Sequence, residues 1–337
     1  MGENHTANTG KMRFPEYDIA KGIGVLLVVI GHVQELPFPL LVWIFSFHIP
    51  LYFFLSGLFV KKETTEPFLS SLKKNVTGLL VPYCVFSAVF ILVDVLFRDP
   101  LSSPRLEVKL FLTGQGGYAI LWFFFALFFV RLLLDIGKRL IKNRIVLSLT
   151  FLGFVIAGFL LHRLFFFNSF KIATILYSSG FYYLGFLMSD WKPFHTVTSV
   201  EKWYLCPVFL GLNILGTYAL VQLFGTTLDL NSATSFDILL NYATALCGIF
   251  FTLILSRILT KTPLLTPLSY LGKHSLIFYP LLGYIPFKLE HLAGTDLMPL
   301  QQAIPLRILF YTIAFGVSAA VVEVKKRWKK GTHTKTA

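Results

Sequence analysis

The sequence predicts an all-α fold: a polytopic membrane bundle of about ten transmembrane helices with both termini cytoplasmic. Three observations predict it. Of 337 residues, 55% are hydrophobic and only 14% charged, against roughly 25% charged in a soluble domain, and the mean hydropathy is +0.70. The apolar residues, 36 Phe among them, gather into runs of about the 20 residues a helix needs to cross a bilayer. The basic residues sit between those runs and favour one side.

The runs are 19–36, 40–60, 77–97, 118–135, 145–163, 170–188, 204–224, 236–259, 274–290 and 303–323. The first and ninth are short or broken by Gly and Pro. Connecting segments are brief, so one domain is expected over 18–323, between a polar tail at 1–17 and a basic tail at 324–337. With the N-terminus inside and ten crossings, 23 of the 30 Lys and Arg residues fall on the cytoplasmic side. The other seven, Arg98, Arg105, Lys109, Arg163, Lys171, Lys288 and Arg307, fall outside. That is the positive-inside bias, and an odd number of crossings would put the basic C-terminal tail on the wrong side. A multi-pass protein of the plasma membrane is expected.

The formal net charge of +13 belongs to this topology and not to nucleic acid, because no basic stripe with interleaved aromatics and no recognised nucleic-acid module is present. Cys84, Cys206 and Cys247 are isolated in apolar stretches without ligand spacing, so neither a disulfide nor a metal site is expected. Residues 1–17 are polar and the first apolar run holds Lys21 and His32, so no cleavable signal peptide is expected.

The chemistry concentrates in residues 14–60, where Asp18, Lys21, His32 and His48 lie at or inside apolar runs. Ionisable groups in lipid cost about 2.5–3.5 kcal/mol each on insertion scales, so they usually line a cavity or a pathway. Lys21 and His32 are 11 residues apart, which on a helix places them within about 20° of one face and about 16.5 Å apart along the axis. Asp18 is one turn before Lys21 on the same face, placed to pair with it or to cap the helix. A cation near the cytoplasmic end and an imidazole deeper suit a donor with an anionic head and a reactive group on a long thin arm. An acyl-CoA has that form, with Lys21 meeting phosphate as a point charge.

Asp18-Ile-Ala-Lys21-Gly-Ile, running to Gly31-His32, resembles the first-helix signature of the acyltransferase 3 family, integral-membrane O-acyltransferases of cell-surface glycans. That signature is a basic residue, ten intervening residues and a His. Phe47-His48-Ile49-Pro50-Leu51-Tyr52-Phe53-Phe54-Leu55-Ser56-Gly57 resembles the family's second-helix element, nearest to its fucose 4-O-acetylase-like branch. Leu79-Leu80-Val81-Pro82-Tyr83 is similar to the LLIPY start of helix three, and Leu121-Trp122-Phe123-Phe124 to the LWFL element of helix four. Tyr183-Leu184-Gly185 and Leu271-Gly272-Lys273-His274-Ser275-Leu276 resemble later elements. Two departures stand out. The Arg-x-x-Arg pair that often precedes LLIPY is replaced by Lys73-Lys74-Asn75-Val76-Thr77-Gly78, with Gly78 in the second Arg's place. Tyr279-Pro280-Leu281 stands where a His commonly follows.

The resemblance implies acyl transfer, acetyl above all, from acetyl-CoA or another acyl-CoA to a hydroxyl of a cell-surface or lipid-linked glycan, with no permanently bound cofactor. His32 is then the general base, a role suited to the side chain whose ordinary pKa lies nearest neutrality. For His48, ahead of the helix-kinking Pro50, two readings stay open: a direct role at the cavity, or an interfacial residue closing a turn. Glu35, three residues after His32, is the candidate to orient its ring. Lys21, Asp18, Lys73 and Lys74 stand on the donor side, and Ser56, Tyr83 and Trp122 either line the substrate cavity or pack. The rival reading is a polysaccharide or glycolipid exporter or flippase with intramembrane histidines as a proton relay. No paired, similarly interrupted segments of an inverted repeat are present, which counts against it.

Overall fold

The computed structural model describes residues 14–33, 36–97, 104–114, 120–164, 169–224, 238–295 and 300–333. Fourteen α-helices follow one another there: α1 Pro15–Gly31, α2 Phe38–Leu58, α3 Phe68–Asn75, α4 Val81–Leu96, α5 Pro104–Leu112, α6 Trp122–Leu140 and α7 Arg144–Leu164. The second half comprises α8 Ile172–Met188, α9 Lys192–Val197, α10 Leu205–Phe224, α11 Ile238–Leu259, α12 Leu265–Lys273, α13 Ser275–Leu292 and α14 Leu300–His333. A π-helical turn, Val76–Leu80, joins α3 to α4 just ahead of Pro82. Proline cannot donate its backbone hydrogen bond, and such a wide turn is a usual way for a helix to absorb that loss.

Among the described residues, six helical stretches are long and apolar enough to cross a membrane: Phe38–Leu58, Phe68–Leu96, Arg144–His162, Leu205–Gln222, Leu239–Leu259 and Ala303–Trp328. These answer six of the ten expected runs, and the chain is a helical membrane bundle. The other four runs are helical for physical reasons that keep them short of a full crossing by themselves. α1 and α8 have 17 residues each. α6 carries Arg131, Asp135, Lys138 and Arg139, and α13 holds Pro280 and Pro286 with Lys288 and Glu290. α1 begins on Pro15 with Glu16 and Asp18 in its first turn, placements that suit a helix start. It stops at Gly31, short of the expected residue 36.

Helices in lipid associate by close packing at small residues. α2 sits at the centre, against α1, α8, α10 and α11. Gly57 and Gly185 let α2 and α8 meet backbone to backbone, and Gly22 and Gly272 do the same for α1 and α12. α1 and α2 run antiparallel: Gly31 lies beside Ile44, while the Tyr52 hydroxyl donates to the Lys21 carbonyl at 2.9 Å.

Charge collects at both ends of the bundle in different ways. At the end holding the start of α1 lie the ion pairs Lys62–Asp190 (3.6 Å), Lys74–Glu66 (2.6 Å), Arg139–Asp135 (3.2 Å) and Arg257–Glu16 (3.9 Å). At the other end, Lys288 contacts Asp94 at 2.8 Å and Arg307 approaches Glu290 at 3.6 Å, all four side chains being buried. Lys288 and Arg307, expected as outer charges marking topology, thus sit inside α13 and α14. A buried charge is tolerable only when paired, and here each has its carboxylate.

Candidate active site

At the basic end a cavity of about 330 Å³ opens among α1, α2, α6, α12 and α13. Lys21 and Asp18 of α1, Ser56 of α2, Arg131 of α6 and Lys273 of α12 are on its wall, with Tyr52, Phe123 and Tyr279. The Lys21 ammonium also lies 4.7 Å from the Phe59 ring centroid, a cation–π distance. Asp18 was expected to pair with Lys21 or cap α1 and does neither. The helix start has no side-chain cap, no ion pair within 4.0 Å joins the two residues, and Asp18 Oδ2 is buried without a hydrogen-bond partner.

Ser56, Phe59 and Arg131 also line a second cavity, of about 290 Å³, that reaches Lys74 and Lys138. Lys138 in turn lines a third, of about 700 Å³, with Lys62, Lys142, Arg144, Tyr183 and Trp191. The three hollows adjoin at the same end. Lys62 donates to the Phe186 carbonyl and lies 4.0 Å from that ring's centroid; its burial pulls its pKa below the ordinary lysine value.

His32 is at the opposite end of α1, as the residue that terminates it, and is exposed. Its Nδ1 is 2.8 Å from the Val28 carbonyl. A carbonyl oxygen only accepts, so Nδ1 carries the hydrogen and Nε2 of the neutral ring keeps its lone pair. His48 repeats the arrangement inside the protein, with Nδ1 2.8 Å from the Ile44 carbonyl. Phe45 stands between them, its ring centroid 6.3 Å from that of His32 and 5.0 Å from that of His48.

The structure therefore brings Lys21, Asp18 and Ser56 to one hollow and the two histidines to another place. The expectation that Lys21 and His32 share one hollow is corrected here. Between their levels Val25 and Val28 are buried, and the rings of Tyr52, Phe123 and Tyr279 contact one another over the cavity at centroid distances of 5.6, 5.7 and 6.5 Å. Glu35 lies outside the described residues; the contact that orients the His32 ring among them is the one to the Val28 carbonyl. Lys73 is exposed and lines none of these three cavities, whereas Lys74 lines the second and holds Glu66. Tyr83 stacks on Phe111 and donates to its carbonyl at 2.6 Å, a packing role away from the three cavities. Trp122 is buried with the Lys171 ammonium 5.7 Å from its ring, and Phe170 and Lys171 both hold φ of 54°.

Sequence reasoning passed over Arg131, Lys273, Tyr52 and Tyr279 as site residues. Arg131 had a signal, being a cation between Phe128-Phe129-Val130 and Leu132-Leu133-Leu134, where an ionisable group marks a pathway. The others lay in or beside elements that carry the family resemblance, but their place on one wall depends on which distant helices meet. The acyltransferase 3 family, described as an acyltransferase domain, matches residues 14–327, a span that takes in α1, both histidines and the cavities. No curated protein and no solved structure matches the chain.

Proposed function

The chain belongs to the acyltransferase 3 family, and from that premise we propose that it is a membrane O-acyltransferase. It moves an acyl group, acetyl above all, from acyl-CoA to a hydroxyl of a cell-surface or lipid-linked glycan. The observation that carries the reading is the His32 imidazole. Its Nδ1–H is committed to Val28, which leaves an exposed Nε2 lone pair as a ready proton acceptor.

In the reaction, Nε2 takes the proton of the acceptor hydroxyl while that oxygen bonds to the thioester carbonyl carbon. The carbon–sulfur bond then breaks, the sulfur leaves as the CoA thiolate, and the proton on His32 neutralises it. His48, oriented by Ile44 and separated from His32 by Phe45, binds the acceptor. The cation-lined hollows hold the donor's phosphates. Lys21 and His32 are about 16.5 Å apart along α1, so the pantetheine arm rises past Tyr52, Phe123 and Tyr279, whose rings part to admit it.

About ten crossings of the plasma membrane with both termini cytoplasmic would put the basic hollows on the side where acyl-CoA is made and His32 toward the side where surface glycans are built. The basic residues gathered at the end where α1 begins support that orientation. The test is release of CoA thiol from acetyl-CoA by the detergent-purified protein, with and without glycan acceptors. His32→Ala should lower turnover by about 10²–10⁴-fold at an unchanged unfolding midpoint. Wild-type turnover in that variant, or glycan movement without thioester consumption, would overturn the assignment.

A further inference from the structure

We infer that Arg131 is the clamp for the donor's diphosphate, completing with Lys21 and Lys273 a three-cation subsite where two hollows join. The inference rests on the acyl-CoA reading above. Arg131 is half-buried in the apolar stretch of α6, and it lines both the 330 Å³ and the 290 Å³ cavities. Three basic residues at the same end have carboxylates in hand: Lys62 has Asp190, Lys74 has Glu66, and Arg139 has Asp135; Lys138 is turned to the Lys61 carbonyl. Among the described residues no carboxylate lies within 4.0 Å of Arg131. Asp135, one turn on, is held by Arg139, and Arg131 rests against the Tyr182 hydroxyl.

Lys21 arrives at the same cavity from α1 and Lys273 from the end of α12. Three cations from three helices share this wall with the one carboxylate of Asp18, a lining in which positive groups predominate and which suits the negative charge of a diphosphate. A guanidinium adds what lysines lack: a planar fork that meets two phosphate oxygens at once. The stretch Lys73–Gly78 has no arginine, Lys73 lines none of these hollows, and Lys74 is tied to Glu66. α6 supplies the fork instead. The larger hollow with Lys62, Lys142 and Arg144, reached through Lys138, then remains for the nucleoside and its phosphate.

The experiment is calorimetric titration of the full-length protein in detergent with CoA and, separately, with pantetheine, which has the arm but no diphosphate. Arg131→Gln should weaken CoA about tenfold to a hundredfold, the range for a lost charged hydrogen bond. Pantetheine binding and the unfolding midpoint should stay where they are. Inorganic pyrophosphate should compete with CoA in the wild type and lose that ability in the variant. Arg131→Lys, which keeps the charge but not the fork, should recover only part of the affinity, and it serves in place of Arg131→Gln if that protein fails to fold. Undiminished CoA affinity in both variants, or an equal loss for pantetheine, would overturn the clamp and leave the acyltransferase reading standing. A wild-type protein that binds no CoA would overturn both.

Discussion

Gly272→Ala tests whether the cavity beside Lys21 depends on the close approach of α1 and α12. A Cβ added at Gly272 would sit 2.6 Å from the Asp18 carbonyl carbon and 3.0 Å from the Gly22 nitrogen. Both are backbone atoms, so no side chain can swing aside. Non-bonded carbons settle at about 3.5–4.0 Å, and the Asp18 carbonyl oxygen lies nearer still than its carbon, so α12 must retreat from α1 by more than about 1 Å. Overpacking of this kind costs about 1–3 kcal/mol. The retreat also carries Lys273 away from Asp18 and Lys21, its partners on the cavity wall, and a misplacement of about 1 Å at a positioned group can cost about 10²-fold in rate. Gly316 of α14 is the control: nothing lies within 4 Å of the position a Cβ would take there, and alanine should be neutral or slightly stabilising. Unfolding midpoints and CoA affinities of the two variants, in one detergent, decide the matter. If Gly272→Ala matches Gly316→Ala on both measurements, the close crossing has no part in shaping the cavity.

Lys288→Met strands the Asp94 carboxylate, which keeps only the Tyr284 hydroxyl at 2.8 Å, and should destabilise by about 3–5 kcal/mol. The double variant Asp94→Asn/Lys288→Met should regain most of that, and equal midpoints for single and double variants would refute the pairing argument. Tyr83→Phe removes the bond to Phe111 and should cost about 0.5–1.5 kcal/mol with turnover unchanged; a loss of turnover at full stability would return Tyr83 to the site. Hydrogen bonds from Lys74 and Ser70 hold the partly exposed Glu66 carboxylate below its ordinary pKa. Its contribution is present above the ordinary carboxylate range and is lost as pH falls through the lowered value. Protection factors of the amides across residues 66–75, taken relative to intrinsic exchange at each pH, should therefore fall on acidification, and pH-independent protection factors in Lys74→Met, with the wild type still responding, would confirm the source.

The helical class and the apolar runs were legible because a bilayer imposes a length and a composition that any reader of the chain can apply. His32 and Lys21 were legible for the same reason, as ionisable groups where lipid penalises them. Depth along α1 followed from helix geometry, yet the hollow did not. Whether two residues on one face share a cavity depends on what covers the face between them, and Tyr52, Phe123 and Tyr279 come from three helices far apart in sequence. The break at His274, which divides the expected ninth run from α12, likewise places Lys273 on the cavity wall by a turn of chain and not by any local pattern. Lys288 and Arg307 misled because a Lys or Arg near a run's end reads as a topology mark, and only the fold brings Asp94 and Glu290 within reach.

Pairing separates the structural charges from the functional ones more sharply than position does. A charge withdrawn from water must be met by an opposite charge, by hydrogen bonds or by solvent in a cavity. Asp94 with Lys288, Glu290 with Arg307 and Asp135 with Arg139 take the first course, and each pair ties helices or steadies one. Asp18 and Arg131 stand outside these pairs among the described residues: each is on a cavity wall, Asp18 with a buried Oδ2 that has no hydrogen-bond partner and Arg131 against the Tyr182 hydroxyl. A bundle that needed those two only for stability would have gained by pairing them or replacing them with apolar groups. Placed beside an opening, they fit the ligand proposed above, one that bears both negative charge and hydrogen-bond donors.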